Sequence, residues 1–168
     1  MIEKIISGGQ TGADRAGLDV AIRHGMPHGG WCPKGRTAED GPMGGQYHLV
    51  ETPSAGYLQR TGRNVRDSDG TVVFTLASQA SGGSRRTIEL AANFGKPCLH
   101  LAKSGDNFDD RAVMLQRFIT ENQIRCLNVA GSRESKEPGI YLWVTSVIED
   151  AFFWSENHPG TLGGPGEG

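Results

Sequence analysis

Short β-rich runs alternate with stretches of helical periodicity along most of this chain. The alternation is typical of a parallel sheet whose strands are joined by helices that pack on both of its faces. The pattern predicts five strands, at about 3–7, 28–32, 71–76, 98–101 and 125–129. The expected fold class is therefore α/β, with an open, mainly parallel sheet of about five strands.

Five helices are predicted from apolar spacing and from start and stop signals. The first runs over about 11–24, the third over 84–94 and the last over 138–154. Ser54 is expected to cap the second helix, whose inner face includes Val65, and Asn107 is expected to cap the fourth. The segment 33–53 shows neither pattern, and a loop of this length in a compact domain is usually functional.

Length and composition favour one cytoplasmic globular domain. The 168 residues suffice for one core, expected over 1–155, whereas the Gly/Pro-rich segment 156–168 is expected to be flexible. A net charge of −2 argues against nucleic acid or a membrane surface as partner, and no apolar run is long enough for a membrane span. Three isolated cysteines and scattered histidines predict no metal site.

The stretch SGGQTGADRAG joins the first predicted strand to the first helix. Glycines at a helix start let a ligand approach the backbone amides, whose partial positive charge favours phosphate. The segment is therefore expected to bind an anionic ligand through Gly8, Gly9, Gln10, Thr11, Gly12, Asp14 and Arg15. The alternative is that the glycines serve only a tight turn.

Two further loops follow strands at the same expected edge of the sheet, where α/β proteins bind their ligands. The loop after the second strand contributes Gly35, Arg36 and Asp40 as candidate binding residues. The glycine-rich loop after the third contributes Gly82, Gly83, Ser84, Arg85, Thr87 and Glu89. Glu89 is also the best candidate for a catalytic carboxylate, although it can equally be an ordinary helix residue.

Several arginines are candidates for a clamp on an anionic ligand, because a guanidinium group pairs with phosphate through two hydrogen bonds. They are Arg36, Arg60, Arg63, Arg85 and Arg86. Arg63 can equally lie on a solvated helix face, and Trp31 can either stack on a ligand ring or pack in the core. The glycine spacing matches neither the dinucleotide fingerprint nor the P-loop, so neither NAD nor Walker-type ATP binding is expected.

Several motifs in order, over about residues 4–102, resemble the molybdenum cofactor carrier proteins. They are SGGQTGADRAGLDVA, GWCPKGRTAEDG, YHLVET, RTGRNVRDSDGTVVF and GGSRRTIELA. The resemblance implies a Rossmann-like fold that holds and protects the molybdenum cofactor, a pterin with a terminal phosphate. It also implies a homo-oligomer that passes the cofactor to molybdoenzymes.

The same resemblance extends to a wider group that includes the cytokinin-activating phosphoribohydrolases. In their P-G-G-x-G-T-x-x-E motif this chain matches at Gly82, Gly83 and Glu89, but Ser81, Arg85 and Arg86 replace the Pro, Gly and Thr. Two alternatives to a carrier therefore stay open. One is an enzyme that cleaves nucleoside monophosphates, with Glu89 stabilising the sugar cation, and the other is a nucleotide-sensing module.

Overall fold

A computed structural model describes residues 1–105 and 110–154 of the chain. The strands are β1 (Lys4–Ile6), β2 (His28–Gly29), β3 (Trp31–Cys32), β4 (Val50–Glu51), β5 (Gly70–Thr75), β6 (Cys98–Ala102) and β7 (Cys126–Gly131). The helices are α1 (Ala13–Arg23), α2 (Tyr57–Asp67), α3 (Gly82–Asn93), α4 (Arg111–Glu121) and α5 (Ile140–Phe152). Within the described ranges, no helix has the length and apolar character needed to cross a membrane.

Five of the strands form one parallel sheet in the order β2-β1-β7-β5-β6. Helices α1, α4 and α5 pack together on one face, and α2 packs with α3 on the other. Every residue of β5 is buried, as expected for a strand covered on both faces. The predicted Rossmann-like α/β fold is confirmed.

The second predicted strand is not continuous, and the prediction of one strand over 28–32 was wrong. Gly30, at φ 123°, turns the chain out of the main sheet between β2 and β3. The Asn64 side chain then bonds both the N–H (2.8 Å) and the carbonyl oxygen (2.9 Å) of Trp31. Asn64 thus takes the place of a neighbouring strand for Trp31, and β3 pairs with β4 in a separate two-stranded sheet.

The long segment before α2 folds onto the body of the protein as a small second core. Met43, Tyr47 and Leu49 are buried against Leu18 of α1. The Arg36 guanidinium organises the segment by donating to backbone carbonyl oxygens at Met43, Gly44, Tyr47 and Leu49. The Arg36 guanidinium therefore has its hydrogen-bond partners within this segment.

Two helix starts differ from their predicted positions. The Ser54 hydroxyl accepts a bond from the Gly56 amide, so Ser54 shapes the preceding turn while α2 begins at Tyr57. In α4 the cap is Asp110, whose carboxylate accepts from the amides of the helix's first turn. Asn107, the predicted cap, lies outside the described residues, as does the 156–168 segment.

Candidate ligand-binding site

A cavity of about 300 Å³ lies at the carboxyl edge of the main sheet. Strand β7 lies between β1 and β5, so the end of β7 forms the floor, with β1 on one side and β5 on the other. Helix α1 leaves β1 toward one face of the sheet and α3 leaves β5 toward the other. This divergence opens a crevice at the position where open α/β sheets bind ligands.

The glycine segment after β1 contributes Gly8, Gln10 and Asp14 to the cavity lining. The amides of Gly9, Gln10 and Thr11 are already bonded to side chains of the same segment. The carboxylate of Asp14, a residue only 4% exposed, lies in the first turn of α1, where an external anion was expected. It accepts from the Gln10 amide and pairs with Arg60 at 2.7 Å.

Arg60 of α2 lies directly across Gly8. A Cβ at Gly8 would overlap the Arg60 guanidinium, so glycine is required for this close approach. Nε of Arg60 is buried and has no hydrogen-bond partner among the described residues. The guanidinium therefore pairs with Asp14 through Nη1 and has a second donor unused.

Gln10 holds a second buried donor that has no partner in the described part of the chain. Its Oε1 accepts from the amides of Thr11 (3.0 Å) and Glu39 (2.9 Å), which fixes the orientation of the side-chain amide. Its Nε2 is buried and, in the parts of the chain described, bonds to nothing. A buried donor without a partner carries a desolvation cost of about 1–3 kcal/mol, which a ligand acceptor would recover.

The start of α3, on the other side of the cavity, carries backbone donors that have no partner among the described residues. The first amide bonded within the helix is that of Arg85, which donates to the Ser81 carbonyl. The preceding first-turn amides have no partner within the helix, and the Ser81 side chain does not cap them. Gly83 and Ser84, which carry two of these amides, line the cavity.

Lys136 lies beside this helix start. Its ammonium group donates to the Ser81 hydroxyl at 3.0 Å and to the Ser81 carbonyl at 3.3 Å. The adjacent Glu137 ties the loop after β7 to the end of β5, because its carboxylate accepts from the amides of Leu76 and Ala77. These bonds position Lys136 next to the first turn of α3.

Burial raises the pKa of the Glu137 carboxyl, but hydrogen bonds from Ser132 and from the two backbone amides outweigh it. The net result is a pKa below the ordinary glutamate value. Glu137 therefore stays ionised at neutral pH and keeps its crosslink between the two loops.

The mouth of the cavity carries an aromatic ring, Tyr57, that lies close to two cations. The guanidinium groups of Arg60 and Arg133 lie 5.5 and 5.4 Å from the centre of the Tyr57 ring. Tyr57 is 40% exposed, so one part of the ring remains open to solvent. A flat ligand ring can contact it there.

Some of the residues singled out in the sequence line this cavity. They are Gly8, Gln10, Asp14, Gly83, Ser84 and Thr87, together with Arg60 of the expected arginine clamp. The others do not line it: Gly9, Thr11, Gly12, Arg15, Gly35, Arg36, Asp40, Gly82, Arg85 and Glu89.

Most of the residues outside the cavity have other partners. Arg15 pairs with Asp40 at 2.9 Å, and its hydrogen bond holds the pKa of that carboxyl below its usual value. Glu89 is exposed and forms ion pairs with Arg85 and Arg86 on the outer side of α3. Because α3 turns only Gly83, Ser84 and Thr87 toward the cavity, Glu89 does not reach it.

Trp31 and Arg63 also lie away from the cavity. The Arg63 guanidinium lies 4.6 Å from the centre of the Trp31 ring, and the indole N–H donates to Asp67 at 2.8 Å. Neither residue is among those that line the cavity.

Sequence reasoning missed the segment after β7, which supplies Ser132, Arg133 and Lys136 to the site. It also missed Asn128 in the floor and Asn64 and Thr61 of α2. The sequence held a signal for this segment. SRESK comes shortly after a predicted strand and contains three charged residues, and a proline and a glycine follow it. In residues 1–105 and 110–154, no group of three or more His, Cys, Asp or Glu side chains could hold a metal ion.

Comparisons with known proteins agree with the family resemblance seen in the motifs. The crystal structure of a "putative molybdenum carrier protein" from Syntrophus aciditrophicus SB is 44% identical in sequence, with a TM-score of 0.86. The match covers 90% of this chain and 95% of that one. No curated protein matches. Residues 5–152 match a family model over most of the chain, and the protein accordingly belongs to the circularly permutated YpsA SLOG family.

Proposed function

We propose that this protein binds and carries a phosphorylated small molecule, and that its ligand is the molybdenum cofactor. The observation that carries the proposal is the group of donors around the start of α3. Gly83 and Ser84, whose amides lie in the first turn of α3, line the cavity together with Lys136, whose ammonium group bonds to the adjacent Ser81. Amides of this kind together with a cation form a phosphate site.

The phosphate is expected at α3 rather than at α1. At α1 the Asp14 carboxylate already occupies the helix start, and a second anion there would be repelled. At α3 the hydroxyl that could have capped the helix bonds to Lys136 instead. Arg133 also lines the cavity, but its guanidinium lies by Tyr57 and Glu39 rather than at α3.

The remaining part of the cavity suits a flat heterocycle. On the β1 side, Gln10 and Arg60 supply buried donors that no described residue bonds, and Tyr57 supplies a ring at the mouth. A volume of about 300 Å³ is at the lower end for ligand cavities, so part of the cofactor is expected to remain at the mouth. These residues would bind and orient the pterin and limit the access of water to it.

A carrier is favoured over a hydrolase because Glu89, the carboxylate carried over from the hydrolase motif, does not line the cavity. The name of the similar protein from Syntrophus aciditrophicus supports the same choice. We further propose that the protein is a cytoplasmic homo-oligomer that delivers the cofactor to molybdoenzymes. These last points come from the family resemblance.

The test is retention of the cofactor by purified protein under anaerobic conditions. Lys136→Gln is expected to weaken retention about tenfold or more, because it removes a charged hydrogen-bond donor. Lys103→Gln is the matched control, since Lys103 is exposed, follows β6 at the same sheet edge and does not line the cavity. Affinity is also expected to fall as salt rises.

Two results would refute the proposal. One is equal retention by wild type and Lys136→Gln. The other is release of free base when the protein is incubated with AMP, because turnover would place the protein among the hydrolases instead. Repeating that incubation with Glu89→Gln would show whether the carboxylate of the motif is responsible.

A further inference from the structure

We infer that the β1 side of the cavity recognises a ring oxo group, so that the site selects oxo-bearing heterocyclic monophosphates over their amino-bearing counterparts. The inference rests on the proposed function and specifies its ligand class. It starts from two buried hydrogen-bond donors, Gln10 Nε2 and Arg60 Nε, that have no partner among the described residues. Both side chains line the same cavity.

The donor of Gln10 cannot become an acceptor by rotation of its amide. Oε1 already accepts from two backbone amides, those of Thr11 and Glu39, and a rotated amide would place its NH₂ against both. The residue is 5% exposed, so water does not readily replace a ligand there. The NH₂ group therefore requires an acceptor from the ligand.

Arg60 is held in place on the same side. Its Nη1 bonds to Asp14 Oδ2 at 2.7 Å, and its guanidinium lies against Gly8, where any Cβ would displace it. Its Nε–H is a second fixed donor, since guanidinium groups have no acceptor atoms. Two donors on one side of a cavity select an acceptor in the ligand.

The acceptor is a neutral oxygen rather than a second anion. The charge of Arg60 is balanced by Asp14 and that of the nearby Arg133 by Glu39, so these two cations leave no net positive charge on this side of the cavity. The backbone N–H of Gln10 and the Arg60 guanidinium both donate to Asp14 Oδ2, which leaves Oδ1 able to accept from a ring N–H of the ligand. A ring oxo group next to a ring N–H fits both kinds of partner, and the pterin of the proposed cofactor carries such a pair.

The spacing of the two ends supports a single ligand that spans the cavity. Strand β7 separates β1 from β5, and neighbouring strands lie about 4.8 Å apart. The β1 side of the cavity, with Gln10, and the β5 side, with the start of α3, are therefore about 10 Å apart. This separation suits a ligand with its ring at Gln10 and its phosphate at the start of α3.

Inosine monophosphate (IMP) and AMP are the test ligands, because in their rings an oxo group with a ring N–H replaces an amino group beside a ring nitrogen acceptor. We expect the wild-type protein to bind IMP about tenfold or more tightly than AMP by isothermal titration calorimetry. In AMP an amino donor would face the two protein donors and leave them unsatisfied.

Gln10→Glu keeps an acceptor oxygen for both backbone amides and replaces only the NH₂ group. We expect it to remove most of the preference for IMP. Gln59→Glu is the matched control, because Gln59 Oε1 likewise accepts from a backbone amide, that of Ser54, but the residue does not line the cavity. Circular dichroism checks that both variants fold.

The outcomes separate the inference from the function on which it rests. Equal affinities for IMP and AMP, both weakened by Lys136→Gln, would overturn the oxo selection and leave the phosphate site intact. Failure of IMP to bind while the cofactor is retained would also overturn the selection. Loss of all phosphate-dependent binding, of the cofactor included, would overturn the proposed function itself.

Discussion

The buried ion pair between Arg60 and Asp14 gives the sharpest prediction about stability. The side chains are 12% and 6% exposed, and their charged atoms are 2.7 Å apart. Arg60→Met removes the cation and leaves the Asp14 carboxylate buried, with the Gln10 backbone N–H at 3.3 Å as its one remaining hydrogen-bond donor among the described residues. Removing one partner of a buried pair typically costs about 3–5 kcal/mol, and we expect a loss of that size.

A double variant tests whether the cost comes from the buried charge rather than from lost packing. In Arg60→Met combined with Asp14→Asn, neither side chain is charged. We therefore expect the double variant to lose at least about 1 kcal/mol less than the sum of the two single losses. Asn at this position keeps an oxygen that can accept from the Gln10 amide.

Urea unfolding followed by circular dichroism measures these free energies. With a slope of about 2 kcal/mol per molar urea, Arg60→Met is expected to lower the midpoint by about 1.5–2.5 M. Arg66→Met is the control, because its ion pair with Asp67 lies on the exposed side of the same helix and is expected to contribute little. The reasoning would be refuted if Arg60→Met shifted the urea midpoint as little as the control does. It would also be refuted if the double variant lost as much unfolding free energy as the two single variants together.

Three further predictions concern pH, backbone geometry and the site boundary. Burial and the neighbouring His48 lower the pKa of His28, so the folded state binds fewer protons than the unfolded chain. The contribution of neutral His28 to the free energy of unfolding should therefore be fully present above about pH 6.5 and should decrease below it. His28→Gln should flatten this pH dependence in urea melts. Gly12→Ala should destabilise the protein by at least about 2 kcal/mol in the same assay, because Gly12 has φ 81° and a Cβ there would meet the backbone at Ser132. An unchanged free energy of unfolding would contradict this geometry. Arg85→Ala should change the cofactor affinity measured by titration by no more than about twofold from wild type, since this side chain is exposed and lies outside the cavity. A tenfold loss of affinity would show that Arg85 belongs to the binding site.

Local pattern was sufficient for the fold class. Alternating strand and helix signals, such as the fully buried run of β5 and the apolar face of α5, depend on residues close together in sequence. Parallel strands also bring their carboxyl ends to one edge, which is why six residues predicted from two glycine-rich segments line the cavity. The split at Gly30 escaped prediction because Asn64, distant in sequence, completes the hydrogen bonds of Trp31.

The position of Lys136 depended on tertiary structure. Its place at the start of α3 requires β7 to lie between β1 and β5, and strand order is set by pairing between distant segments. The same holds for Glu89, because the packing of α3 on the sheet decides which side of that helix meets the cavity.

The sequence by itself determined the alternating strands and helices, and with them the sheet edge that holds the site. Tertiary structure decided which donors of that edge remain available. In the segment before α1, the amides of Gly9 and Gln10 are bonded to side chains of the protein itself, whereas at α3 the potential cap is bonded to Lys136. The physical reason is that a glycine-rich segment supplies amides through local conformation alone, but whether each amide already has a partner depends on residues brought in from elsewhere in the chain.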